Sequence, residues 1–250
     1  MMSNSIKTFQ LDKNSKIDLY NNFKSFNPNL TSSIVFSQLK KYISKHNRQS
    51  FNILDLGCGN GVIGISLAKI FPSHNYFFSD LNSESIALLK KNIRHHKISN
   101  FSIKEGSLLL PWINEINDFD IIINDVSGIS EKIAKYSSWF GNNIPCSTGD
   151  DGTSLFKETI NFIKEHHNKK KPLKIFSAVL SLSNIFEIEK FLNKNKINYE
   201  YVYVKEWPIP NNFENEFYIT LRDLKQSNII SYKEISGFLI CETRVMKIEF

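Results

Sequence analysis

Between residues 51 and 204 the chain alternates short apolar runs with stretches of helical period, and this alternation constrains the fold most. The runs are FNILDL (51–56), NYFFSD (75–80), FSIKEG (101–106), FDIIIND (119–125), LKIFSAVL (173–180) and YEYVYV (199–204). Their length and apolar density suit strands buried on both faces. Residues 62–70 form one helical stretch. Residues 83–97 carry Ile86, Leu89, Ile93 and Lys97 along one side. Residues 153–167 carry Phe156, Ile160 and Ile163, and residues 184–194 carry Ile185, Ile188 and Leu192. Strand, helix, strand repeated in this way predicts an α/β fold, a doubly wound and mostly parallel sheet with right-handed crossovers. A seventh run, GFLICETRVMKI (237–248), has no helix-length partner after it and is expected to return antiparallel, which makes the sheet seven-stranded. Residues 1–48 read as an N-terminal helical extension or lid, one or two helices broken near FNPNLTSS, ahead of a main domain over 49–250.

The stretch LDLGCGNG (54–61) sits where the first strand should turn into the first helix. In an open parallel sheet, ligands bind beyond the carboxyl ends of the strands, near the point where strand order reverses. Glycines there allow positive φ and close backbone approach, and the helix starting near Val62 offers N–H groups to a negative group. Two readings compete. Gly59, Gly61 and Gly64 satisfy G-x-G-x-x-G with Asp80 following, as in a dinucleotide site. The other uses Gly57, Gly59 and Gly61 with Asp55 in front. If the strand ends near Leu56, Gly57 opens the turn, two residues too early for the dinucleotide register. Asp55 would also repel a pyrophosphate, whereas it suits a cationic ligand.

The segment ILDLGCGNGVIGISLA (53–68) resembles the first motif of class I S-adenosylmethionine-dependent methyltransferases, whose fold is Rossmann-like. The resemblance implies that Gly57, Cys58, Gly59 and Gly61 wrap the methionyl part of S-adenosylmethionine. It implies that Asp55 meets the ligand's amino end, directly or through water. Asp80, with Leu81 beside it, matches the acid that takes both ribose hydroxyls. Asn82 or Ser83 is better placed than Asp80 to cap the following helix. Gly106 and Ser107, just past the third strand, match the position that touches adenine, although plain turn chemistry accounts for them equally.

The fourth strand should carry the acceptor chemistry, because Asn124 and Asp125 follow three isoleucines at its end. Related amino-methylating enzymes place Asn or Asp, two prolines and an aromatic here. There the Asn side chain and a carbonyl accept hydrogen bonds from the target NH2, and positioning supplies much of the rate. Asn124 is the expected substrate-positioning residue, also adjoining the cofactor, with Asp125 beside it. Val126 and Ser127 stand where the prolines are expected and Gly128 where the aromatic is, so the ring is sought in Tyr136, Trp139 or Phe140. STGDDGTSLFKETINF (147–162) resembles a segment of the methyltransferases that modify the glutamine of peptide-release factors. Asp150 or Asp151 is read there as a helix cap. Ser181 and Ser183 are read as caps for the helix from Asn184, and Trp207 either flanks the substrate mouth or fills a core gap.

Bulk properties narrow the setting. The 250 residues carry net charge +6, and 41% are apolar. No run of 18 apolar residues occurs, so no membrane span is expected. The start lacks the layout of a signal peptide, and Cys58, Cys146 and Cys241 are scattered, so a reduced, cytoplasmic protein is expected. Lys169 to Lys171 read as a solvated loop or a phosphate-facing patch. The histidine pairs 95–96 and 166–167 sit near helix ends, and adjacent helical residues point apart, so no metal site is expected. The resemblance therefore implies methyl transfer to a nitrogen, the acceptor being a protein, RNA or small molecule. The alternatives are a silent cofactor-binding partner subunit and a nicotinamide-dependent oxidoreductase.

Overall fold

The computed structural model describes residues 5–22, 29–46, 50–126, 128–137 and 148–250. The chain begins with an antiparallel hairpin, β1 (Ser5–Asp12) and β2 (Ser15–Asn21), followed by α1 (Leu30–Lys45). Where one or two helices were expected, the segment forms a hairpin followed by one helix. In β2 every second side chain, Ile17, Leu19 and Asn21, is buried, which is strand periodicity.

The main sheet runs through β3 (Asn52–Leu56), β4 (Asn75–Asp80), β5 (Phe101–Glu105), β6 (Ile121–Asn124), β7 (Lys174–Leu180), β8 (Asn198–Pro208) and β10 (Phe238–Glu249), with a short β9 (Lys233–Ile235) paired to the start of β10. Strand order is β5-β4-β3-β6-β7-β10-β8. β3, β4, β5, β6 and β7 pair in parallel, and β10 lies antiparallel between β7 and β8. This is the predicted seven-stranded path with one short strand added at its margin. The order reverses between β3 and β6. There Leu56 is level with both Ser79 and Asn124, so three carboxyl ends meet at one point.

Helices α2 (Val62–Ile70), α3 (Ser83–His96), α4 (Glu131–Ala134), α5 (Ser154–His166), α6 (Ile185–Lys194) and α7 (Asn215–Gln226) connect the strands. Strand side chains alternate between faces, and the isoleucines of β6 show the consequence. Ile121 and Ile123 join Ile53, Tyr76 and Phe78 under α1, α2 and α3. Ile122 joins Leu54, Leu56 and Ile175 under α5 and α6. Each such fully buried side chain is worth about 1.5–3 kcal/mol. Helix α7, which the sequence reading did not include, buries Phe217, Leu221 and Leu224 against Ile129, Leu182 and Cys241.

Helix α1 belongs to the same core. Its Val35, Phe36, Leu39 and Ile43 are fully buried with α2 and the sheet. The hairpin is held by α3: Asn92 Oδ1 accepts from the Tyr20 N–H at 2.7 Å, and Asn92 Nδ2 donates to the Tyr20 carbonyl at 3.1 Å. The same Nδ2 donates to the Asn60 carbonyl at 2.9 Å, which ties the hairpin to the glycine loop.

Candidate active site

Strand β3 stops at Leu56 and Gly57 opens the turn, the register expected of the Asp55 reading. Gly57, Gly59 and Gly61 have φ of 64°, 55° and 86°. A Cβ on Gly57 would lie 2.6 Å from Val126 Cγ1, so the loop packs against the segment after β6 at a distance only glycine permits. Gly61 caps α2, and the Cys58 N–H donates to the Ser79 carbonyl at 3.0 Å, stitching the loop to β4.

The loop forms part of the wall of a cavity of about 640 Å³ over the carboxyl ends of the strands. Eight of the ten expected cofactor-side residues line it: Asp55, Gly57, Cys58, Gly59, Asp80 and Leu81, with Gly106 and Ser107 beyond β5; Gly61 and Asn124 do not. Gly61 is off the wall, and a Cβ added there would clash with Leu89 and Ile65. Beyond β6 the wall continues through Asp125, Val126, Leu155, Glu158, Leu180 and Trp207. Across the top lies the first turn of α1, with Asn29, Leu30, Thr31 and Ser32 on the wall. Nothing in the first fifty residues marked these four as site residues. Only Asn29 carried a local signal, as a helix cap, and its side chain accepts from the Ser32 N–H at 3.2 Å.

Asp55 is 3% exposed and accepts a hydrogen bond from the Gly64 N–H at 2.9 Å. Burial pushes its carboxyl up to about 8, with Asp125 and Asp80 adding to the rise. Asp80 is not idle. Its Oδ2 accepts from the Gly59 N–H and its Oδ1 from the Asn82 N–H, both at 2.8 Å. A carboxylate has about four lone-pair positions, so capacity for a ligand remains. Burial raises its proton affinity, and the backbone bonds oppose that. Asn82 caps α3 through its bond from the Glu84 N–H, as expected. Burial pushes the Cys58 thiol well up, so it is a neutral small side chain, not a nucleophile. Asn60 Nδ2 and Ser79 Oγ have no partner among the described residues and are closed off from the cavity.

The fourth strand requires a correction. Asn124 does not line the large cavity. It shares Ile122's face of β6, donates to Ser177 Oγ at 3.2 Å, and borders a separate void of about 10 Å³ with Gly128, Gly152 and Phe156. Its Oδ1 is buried without a partner among the described residues. Asp125, one residue on, turns to the cavity, where its Oδ2 accepts from Ser32 Oγ at 2.9 Å. Burial pushes its carboxyl up to about 7, and the Ser32 bond opposes the rise. Asp55, Asp80 and Asp125 thus share one face of the sheet, which alternation dictates from Ile53, Phe78 and Ile123.

Other expectations resolve similarly. Asp151 bonds the Thr153 N–H and Oγ1, opening α5, while Asp150 pairs with Lys132 at 2.8 Å. Neither lines the cavity, but α5 delivers Leu155 and Glu158 to it. Ser181 and Ser183 do not cap α6: Asn184 does, accepting from the Glu187 N–H at 3.1 Å. Ser183 Oγ donates back to Leu180, and Ser181 Oγ accepts from Glu242. Tyr136 packs in the core beneath α7, off the cavity wall, while Trp139 and Phe140, like Ser127, lie outside the described residues. Trp207 is on the wall, its Nε1 donating to Thr243 Oγ1 at 3.0 Å. Among the described residues, no helix is long and apolar enough to cross a membrane, and no cluster could hold a metal ion.

Residues 27–125 match the family model described as "Methyltransferase small domain". The solved N-terminal domain of human METTL16, in complex with SAH, superposes with a TM-score of 0.52 at 10% identity, covering 90% of this chain and 74% of that one. The fold is that of the class I methyltransferases. A bifunctional methyltransferase of Rickettsia prowazekii is 30% identical over 164 residues, which are 61% of this chain and 30% of that protein. A release factor glutamine methyltransferase of Dictyoglomus turgidum is 28% identical over 142 residues, 52% of this chain and 46% of that protein. The chain spans less than half the length of either relative.

Proposed function

We propose that the chain is an S-adenosylmethionine-dependent methyltransferase acting on a nitrogen acceptor. One observation carries the reading: the carboxylates of Asp55 and Asp80, a loop of positive-φ glycines and the turn at Gly106 all meet one cavity that continues past Asp125. The residues fit the cofactor. Asp55 faces its ammonium, and the first turn of α2, with Val62 and Ile63 on the wall, presents N–H groups to its carboxylate. Asp80 accepts from the ribose hydroxyls. Leu81, Gly106 and Ser107 flank the adenine. When bound, the cofactor supplies a methyl group activated on a sulfonium. Asp125, rather than Asn124, holds the acceptor nitrogen in line.

The sequence relatives named for release factor modification support a protein acceptor. The scattered thiols support a reduced, cytoplasmic setting. A second reading has one observation behind it: Val126 and Gly128 replace the stiff proline turn and ring, as a silent cofactor-binding subunit would allow. Methyl transfer from labelled cofactor to any cell fraction eliminates that second reading.

Calorimetric titration with S-adenosylhomocysteine tests the proposal. Asp80→Ala is expected to weaken binding by about 1–3 kcal/mol, the scale of lost buried hydrogen bonds. Unchanged affinity contradicts the ribose assignment.

A further inference from the structure

In a chain of net charge +6, the described wall of the cavity carries four carboxylates and no lysine, arginine or histidine. The four are Asp55, Asp80, Asp125 and Glu158. The proposed cofactor accounts for Asp55 and Asp80. Asp125 follows β6, on the other side of the sheet's reversal, where a cofactor lodged over β3, β4 and β5 leaves it without a counter-charge among the described residues; Glu158 on α5 stands exposed at the same end. All four stand on the wall of one cavity of about 640 Å³ over the carboxyl ends of the strands.

A half-buried carboxylate with one hydroxyl partner is costly to keep ionised unless a cation completes it. A phosphate-bearing acceptor would be repelled here, since nucleic-acid recognition rests on lysine and arginine contacts to phosphate. A neutral amide would leave the charge of Asp125 unmatched. The rim toward β8 adds apolar and aromatic surface from Leu155, Leu180, Trp207, Pro208 and Pro210, which suits the stem behind a charged head.

Resting on the methyltransferase reading, we infer that the acceptor is a primary amine that enters as an ammonium, with Asp125 taking its proton and Ser32 of α1 holding Asp125 in place. An ammonium has no lone pair, so proton removal must precede transfer. One N–H bond breaks and its proton goes to the Asp125 carboxylate. The freed lone pair then forms the N–CH3 bond while the C–S pair leaves to sulfur, giving a neutral thioether and a methylated ammonium. Asp125 returns the proton to water. Ser32 is a positioning residue: its hydroxyl is bonded to the carboxylate oxygen, and its backbone is fixed by the Asn29 cap. The titratable groups that share the cavity wall with Asp125 are Asp55 on β3, Cys58 in the loop, Asp80 on β4 and Glu158 on α5, all acidic among the described residues.

The test uses the chain saturated with S-adenosylhomocysteine, probed with n-butylammonium and neutral butyramide across neutral pH. Preference for n-butylammonium by roughly tenfold or more, lost in Asp125→Asn, supports the inference. Ser32→Ala should keep the preference but move its pH dependence upward, because the bond that lowers the carboxyl's proton affinity is gone; an unmoved profile removes Ser32 from the account. Equal or better binding of butyramide overturns the amine while leaving the cofactor reading intact. Failure of S-adenosylhomocysteine to bind overturns both. A second arm incubates the chain and labelled S-adenosylmethionine with dialysed cell extract. Label that survives acid hydrolysis as N-methylamine, on lysine-type residues or on free small amines, supports the inference and separates those two sources. Label released as volatile methylamine marks an amide, and label in nucleosides marks RNA; either overturns it, as does no transfer at all.

Discussion

Three aspartates on one sheet face set the behaviour of the site. Burial raises Asp55 to about 8 and Asp125 to about 7, against 3.8 for the free side chain. A folded-state value raised above the unfolded one means the native state binds more protons in the interval, so stability falls as pH rises through it. For Asp55 the loss runs from near pH 4 to about 8. Ligand-free Asp55→Asn should therefore show a flatter stability–pH curve over that window in urea titrations, and an unchanged slope contradicts the assignment. Gly57 makes a second prediction. Alanine there adds a Cβ at 2.6 Å from Val126 Cγ1 in a left-handed backbone, expected to cost about 1–3 kcal/mol by thermal melts. The misplacement of Asn124 was avoidable at this scale: it is two residues from Ile122 and must share its face, while Asp125 falls in step with Ile123. What no residue pattern contained was Ser32, whose partner lies 93 positions away.

At the scale of elements, the parallel strands and their crossover helices were legible because burial on both faces demands unbroken apolar runs, and amphipathic helices declare their period. The N-terminal hairpin was harder. In SKIDLYN the alternation of Ile17, Leu19 and Asn21 is brief and competes with the helix-like spacing that follows. Helix α7 has Phe217, Leu221 and Leu224 at spacings of four and three, so its signal was present but offered no chemistry to draw attention. Leu11, Ile17 and Leu19 anchor the hairpin in the core, and Asn92 ties it to the site by bonding both backbone groups of Tyr20 and the Asn60 carbonyl. Asn92→Ala should cost about 2–3 kcal/mol, given the buried groups left unpaired. It should also raise amide exchange in β2 and weaken S-adenosylhomocysteine binding through the glycine loop. Exchange in β2 as slow as in the wild type contradicts this coupling.

For the whole molecule, the sheet brings together elements from both halves of the chain. The loop after β3 and the ends of β4 and β5 shape one end of the cavity, and β6, α5, β7 and β8 shape the other. Helix α1 crosses above the reversal point and touches Asp125, so the N-terminal segment is part of the site's wall. A basic chain with an acidic cavity separates its outer field from its inner one. The outside favours solubility, while on the amine reading proposed above the interior selects for positive charge. The most direct measurement is a crystal structure of the chain with S-adenosylhomocysteine. The account predicts the ligand's amino group against the Asp55 carboxylate, its ribose hydroxyls on Asp80, its sulfur facing Asp125, and its adenine beside Leu81 and Gly106. A ligand seated elsewhere, or in this cavity with its ribose turned away from Asp80, contradicts it.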